Sequence, residues 1–164
     1  MKVLLDSTSF ERTLKRLSHE IIEKNENIND LVFIGIKRKG VPICEKVASN
    51  LKTMENINVP IETIDISGYR DDKKEVNNVN SFSVDITGKT IILFDDVLQS
   101  GRTVRSALDA LVDIGRPKKI QLAVLVDRGH RELPIRADFI GKNIPTSSKE
   151  IIVYNPELNE VVIK

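Results

Sequence analysis

Three continuous apolar runs, Leu31 to Ile36, Thr90 to Phe94 and Ile120 to Val126, are interleaved with segments of helical spacing. This alternation constrains the chain more than any other feature. A strand with one solvated face alternates apolar and polar residues, so an unbroken apolar strand must be covered on both faces, as in a parallel sheet flanked by helices. The helical segments are of the right kind. Phe10, Leu14, Leu17 and Ile21 repeat at helical spacing and predict a helix over Ser7 to Asn25, started by Asp6 or by a Thr8/Glu11 capping box. Further helices are predicted over Val41 to Met54 and over Arg102 to Ile114, the last stopped by Gly115 and Pro117. Val59 to Ile66 reads as another strand, and Ile151 to Tyr154 and Val161 to Ile163 read as two short strands around an Asn155-Pro156 turn. The expected fold is α/β, a doubly wound, mostly parallel sheet in a single domain over residues 1–164, with ligands at the strand C-termini.

Composition narrows the function classes. With 40% hydrophobic and 30% charged residues, the 164-residue chain is globular rather than fibrous or disordered. Its longest apolar runs fall far short of the ~20 residues of a membrane helix, and Met1 to Asp6 lacks a signal-peptide core, so a cytoplasmic location without membrane contact is expected. Twenty-five Lys and Arg against 24 Asp and Glu give a net charge of +1, so binding to nucleic acid would need a local basic patch. The absence of Trp and an aromatic content of 4% argue against base-stacking platforms. The single Cys44 can form no internal disulfide. The polar stretch Asp71 to Ser83 has no apolar period and reads as a mobile loop.

Chemistry concentrates in Ile91-Ile92-Leu93-Phe94-Asp95-Asp96-Val97-Leu98-Gln99-Ser100-Gly101-Arg102-Thr103. An apolar strand ends in two acids and passes through a Ser-Gly-x-Thr turn into a helix. Amides at that helix N-terminus, with the Ser100 and Thr103 hydroxyls beside them, suit a monophosphate, and Gly101 lets the backbone approach it. Carboxylates repel a phosphate, so Asp95 and Asp96 suit sugar hydroxyls and a hard cation such as Mg²⁺. Phosphate, diol and metal together describe a phosphoribose. The bland alternative is a capped helix after an ordinary turn; Walker and dinucleotide-binding spacings are both missing.

These residues resemble the phosphoribosyl pyrophosphate (PRPP) signature of type I phosphoribosyltransferases. Val126-Asp127-Arg128-Gly129-His130-Arg131-Glu132-Leu133-Pro134-Ile135-Arg136-Ala137-Asp138 and Gly141-Lys142-Asn143-Ile144-Pro145-Thr146-Ser147 resemble, more narrowly, the PyrR family of pyrimidine-operon attenuation proteins that are also uracil phosphoribosyltransferases. The resemblance extends to Gly35-Ile36-Lys37-Arg38-Lys39-Gly40 and Tyr69-Arg70-Asp71-Asp72, nearly the whole chain.

The resemblance implies the type I phosphoribosyltransferase fold with a flexible loop and small hood, and a role for each segment. Lys37, Arg38, Lys39 and Gly40 would hold pyrophosphate, and Val97, Leu98, Gln99, Ser100, Gly101, Arg102 and Thr103 the ribose 5-phosphate. Asp95 and Asp96 would hold the ribose diol near the reacting carbon, with Mg²⁺ on the pyrophosphate, and Arg70 would approach the leaving group. Lys73 and Lys74 read as solvated. Val126, Asp127, Arg128 and Ile135 would form the hood over the base. Arg12, Arg16 and His19 share one face of the first helix with Lys15 beside them, a face that would ordinarily be merely solvated. The resemblance assigns RNA binding to Arg16, His19, Lys24, His130, Arg131, Arg136 and Lys142.

The implied partners are a pyr-operon leader mRNA hairpin, PRPP, uracil, UMP or UTP, and further copies of the chain as a homodimer or homotetramer. UMP or UTP would favour the RNA-binding form. Two alternatives stay open: a plain salvage phosphoribosyltransferase without RNA binding, and an RNA regulator with vestigial catalysis. The second is kept open by Lys39 and Gln99, where the family often has Arg and Tyr, and by the short loop; Lys15 likewise stands where the family often has Thr.

Overall fold

The computed structural model describes residues 1–69 and 81–164. Arg70, Lys73 and Lys74, with most of the polar loop expected over Asp71 to Ser83, lie outside the described residues. Among the described residues eight strands and three α-helices follow in the order β1 (Lys2–Leu5), α1 (Ser7–Lys24), β2 (Leu31–Ile36), α2 (Gly40–Glu55), β3 (Ile61–Ile64), β4 (Thr90–Leu98), α3 (Arg102–Ile114), β5 (Lys119–Asp127), β6 (Phe139–Asn143), β7 (Ile152–Asn155) and β8 (Glu160–Ile163). The starting cap of α1 is Asp6, whose Oδ1 accepts from the Ser9 amide at 2.8 Å.

Five strands form the parallel sheet in the order β3-β2-β4-β5-β6, and β1-β8-β7 form a small antiparallel sheet. The continuous apolar runs are covered on both faces, as expected. On one side Phe33, Ile92, Phe94 and Leu125 meet Phe10, Leu14, Leu17 and Ile21 of α1 and Ile43, Val47 and Leu51 of α2. On the other side Ile34, Ile91, Leu93 and Val124 meet Val104, Ala107, Ala110 and Leu111 of α3. The small sheet joins the first of these layers through Tyr154 and Val161, with Tyr154 stacked on Phe10 at 5.5 Å between ring centres. Cys44 is buried in the same layer, and burial pushes its thiol pKa well up. Among the described residues no helix is long and apolar enough to cross a membrane.

Four strands differ from expectation by more than one residue at an end. β3 is shorter than Val59 to Ile66, because Pro60 has no amide for a ladder, although its carbonyl accepts from Phe33 N at 2.9 Å. β4 runs four residues past Phe94, carrying both acids into the sheet, where Asp95 stands opposite Val124 and Leu98 opposite Asp127. β1 and β6 were not expected at all: each is short and lies at the edge of its sheet, where no long apolar run is needed.

Candidate phosphoribosyl site

Along the parallel sheet the chain moves from β2 outward to β3, then returns to β4 and continues the other way to β5 and β6. The reversal falls between β2 and β4, and the crevice beyond the strand ends at such a reversal is where an open α/β sheet places its ligand. A cleft of about 750 Å³ opens there, lined by Lys37, Arg38 and Lys39 after β2, by Asp65 and Ser67 after β3, and by Asp95, Asp96, Val97 and Thr103. Gly40 makes this closeness possible. A Cβ at Gly40 would stand 2.3 Å from the Phe94 carbonyl oxygen, so only glycine lets the start of α2 rest against β4 beside Asp95. The Lys37–Arg38 peptide is cis.

The two acids are not equivalent, because successive residues of a strand face opposite sides. Asp95 is only 7% exposed, and its Oδ1 accepts from the Asp96 amide at 2.9 Å. Burial, then the neighbouring Asp96 charge, holds the Asp95 carboxyl well above the usual carboxylate range. Asp96 is half-buried and presents the more accessible carboxylate to the cleft. Asp65 went unnoticed in the sequence. Hydrogen bonding to Ser67, then the charges of Lys37 and Arg38, holds its pKa below the ordinary value. The expected strand over Val59 to Ile66 enclosed it, and only the shorter β3 places it just past a strand C-terminus.

The Ser100-Gly101 turn forms a second, adjoining cavity of about 250 Å³ with Asp95 to Ser100, Thr103 and Arg128. Gly101 caps α3 at φ +94°, a left-handed conformation that side chains rarely adopt, and Ser100 Oγ accepts from the Arg102 amide at 3.2 Å. The first-turn amides of α3 therefore open into the space where a phosphate would sit. Leu98 itself is buried. The Ser100 carbonyl accepts from the amides of Glu132 and Leu133 at 2.9 and 3.0 Å, and Arg102 Nε lies 3.2 Å from Glu132 Oε1. Ile135 lies just beside Gly101, within ordinary packing distance of a Cβ there. The Ser100-Gly101 turn and the segment after β5 are thus fastened into one unit.

The residues expected in the hood separate. Val126 is wholly buried in the core. Asp127 is buried, accepts from the Gly129 amide at 2.9 Å and pairs with Arg131. Arg128 is 6% exposed: Nε donates to Thr146 Oγ1 at 2.8 Å, Nη1 to Gln99 Oε1 at 3.0 Å, and Nη2 to the carbonyls of Ser147 and Glu150 at 3.2 and 2.6 Å.

The basic residues form two groups. Along the seam between α1 and β6, Lys142 Nζ lies 3.4 Å from the Leu4 carbonyl, Arg16 donates to Glu20 and to the carbonyls of Ile140 and Gly141, and Lys24 Nζ lies 3.4 Å from Asp138 Oδ1. His19 is exposed on the same helix. At the far end of β6, His130 and Arg131 line a cavity of about 340 Å³ with Asp127, Asn143 and Thr146, and His130 Nε2 meets the Thr146 carbonyl. Arg136 is exposed between the two groups in sequence.

The phosphoribosyl transferase domain family matches residues 2–157. A Latilactobacillus sakei protein named bifunctional protein PyrR is 55% identical over 98% of this chain and 94% of its own length. An Oceanobacillus iheyensis protein of the same name is 55% identical over 92% and 87%. The hypoxanthine phosphoribosyltransferase of Trypanosoma cruzi superposes with a TM-score of 0.80 at 20% identity, covering 99% of this chain and 95% of that one, which shows the shared fold. The phosphoribosyl transferase domain match over residues 2–157 and the 55% identity to these relatives over nearly the whole chain place it in the PyrR family of type I phosphoribosyltransferases.

Proposed function

We propose that this protein is an RNA-binding transcriptional attenuator of a pyrimidine biosynthesis operon, responsive to UMP or UTP, that also converts uracil and PRPP to UMP and pyrophosphate. Its relatives carry the name bifunctional protein PyrR. The observation that carries the dual reading is the Ser100 carbonyl accepting from both Glu132 and Leu133 amides, which makes the phosphate turn and the basic segment after β5 one piece. A nucleotide bound at the turn can then favour one arrangement of the RNA-facing residues, and the two sites become thermodynamically linked.

In the transfer, uracil N1 bonds to C1′ as the C1′–O bond to pyrophosphate breaks; the bonding pair leaves with pyrophosphate, which also takes up the N1 proton. Positive charge develops on the ribose ring. Catalysis is therefore a matter of positioning and electrostatics. The α3 N-terminus with Ser100 and Thr103 anchors the 5-phosphate, and Lys37, Arg38 and Lys39 face the pyrophosphate. Asp96 accepts from the ribose hydroxyls, while Asp95 holds the Asp96 amide and so fixes that strand end. Arg128 orients Gln99. Mg²⁺ neutralises pyrophosphate charge when bound. Asp96, with Asp95 nearby, would supply only part of a shell for such an ion, since among the described residues no cluster of three His, Cys, Asp or Glu could hold a metal alone. Pyrophosphate oxygens would complete the shell.

The chain acts as a single domain and assembles as a dimer or tetramer, in which symmetry doubles the basic surface offered to RNA. The deciding experiment is a titration of the protein with a pyr-leader hairpin and a scrambled hairpin at fixed salt, each with and without UMP. Tight, UMP-enhanced binding to the leader alone is expected. Weak binding indifferent to both sequence and UMP returns the plain phosphoribosyltransferase.

A further inference from the structure

We propose that a lysine-lined cleft at the end of the sheet opposite the phosphoribosyl site holds a backbone phosphate of the bound RNA, extending its footprint beyond α1; this rests on the RNA-binding reading above. The cleft, of about 290 Å³, lies where α1 ends and β4 and β5 begin, and is lined by Lys24, Asn25, Glu26, Thr90, Lys118 and Lys119 among others. Three lysines and one glutamate line it, and of the three Lys24 also lies beside Asp138. Mutual repulsion of cations around one concavity is relieved by an anion, and lysines grip phosphate as point charges without reading sequence.

The floor of the cleft is built rather than incidental. Asn25 is buried, and its side-chain amide donates to Gln121 Oε1 at 2.9 Å and to the Ile21 carbonyl at 2.8 Å. Lys24 is steered by Asp138 and lies over the Phe139 ring at 5.4 Å. Lys118 and Lys119 are exposed.

Continuity with the seam between α1 and β6 points to RNA as the source of the phosphate. Successive stations along that seam are Lys142 near Leu4, Arg16 against Ile140 and Gly141, and Lys24 beside Asp138. The stripe descends β6 from its C-terminal end and runs into the cleft. Lys119 and Asp127 bound β5, roughly 26 Å apart at about 3.3 Å per residue, so the His130/Arg131 group and the lysine cleft stand at opposite ends of one basic track. The catalytic reading has no use for a cleft at this end of the strands.

The test is a Lys118→Ala/Lys119→Ala double variant beside a Lys46→Ala/Lys52→Ala control on α2, both titrated with the leader hairpin over a salt series. The cleft variant should bind about tenfold more weakly at low salt. Its log–log salt slope should be shallower by about 0.7–0.9, the share of one lost phosphate contact. Uracil transfer should match the unaltered protein, and a coincident thermal transition checks that the fold is intact. Binding equal to that of the control pair overturns the cleft while leaving the RNA reading in place. Failure of the unaltered protein to prefer the leader hairpin overturns both.

Discussion

Arg128 Nη1 donates to Gln99 Oε1 at 3.0 Å, joining the end of β5 to the phosphate turn, while the same guanidinium holds Thr146, Ser147 and Glu150. One buried side chain therefore ties the phosphate turn to the segment that His130 also touches through the Thr146 carbonyl. Arg128→Lys keeps the charge but loses the planar fork. It should destabilise the protein by about 1–3 kcal/mol, since buried acceptors are left unpaired. The KM for PRPP should rise severalfold with a smaller change in kcat. Thermal unfolding and steady-state kinetics check this; unchanged KM and stability would show that the clamp is dispensable.

Gly40→Ala puts a methyl group 2.3 Å from the Phe94 carbonyl oxygen, a backbone atom that cannot swing away. Overpacking of this kind costs about 1–3 kcal/mol. The start of α2 must retreat from β4 and take Lys37 to Lys39 with it, so pyrophosphate affinity should fall along with stability. Product inhibition by pyrophosphate reads this out directly.

Asp95→Asn tests the buried carboxyl. Its pKa is raised, so the folded state holds the proton more tightly than the unfolded chain, and stability falls as pH rises above the ordinary value of 3.8. The asparagine form has no such loss. It should therefore be the more stable protein at neutral pH, by a few degrees in Tm where 1 kcal/mol is worth about 2–4 °C. The difference should shrink as pH is lowered toward 4. Turnover should drop sharply while hairpin binding persists; a variant less stable at pH 7 would contradict the burial argument.

Linkage between nucleotide and RNA must be reciprocal. If UMP tightens hairpin binding tenfold, the hairpin must tighten UMP binding tenfold, by about 1.4 kcal/mol in each direction. Calorimetric titration of each ligand with and without the other measures both factors. Equal affinities in all four titrations would mean that the shared unit at Ser100 transmits nothing.

How much was legible in the sequence differs from element to element. The bounds of β2, Leu31–Ile36, and of α3, Arg102–Ile114, match expectation because a doubly buried strand and a helix between glycine caps carry their signals locally. The turn into α3 at Ser100 and Gly101 was legible for the same reason, being set by a few adjacent residues. β6 was hidden because Phe139-Ile140-Gly141-Lys142-Asn143 is polar at one end, and Gly141 is there for close approach, a Cβ lying 2.4 Å from the Leu125 carbonyl oxygen.

The sequence alone determined the layered α/β architecture and the strand, turn and helix that carry Asp95 to Thr103, since apolar period and caps act over a few residues. Tertiary structure decided what the charged residues are attached to. Arg16 reads as a free cation on a helix face, yet its guanidinium meets carbonyls 124 and 125 positions away. Asp95 and Asp96 read as a matched pair, yet the pleat buries one and opens the other. Hydrogen bonds and burial depend on separation in space, and sequence spacing specifies that only within a single helix, strand or turn.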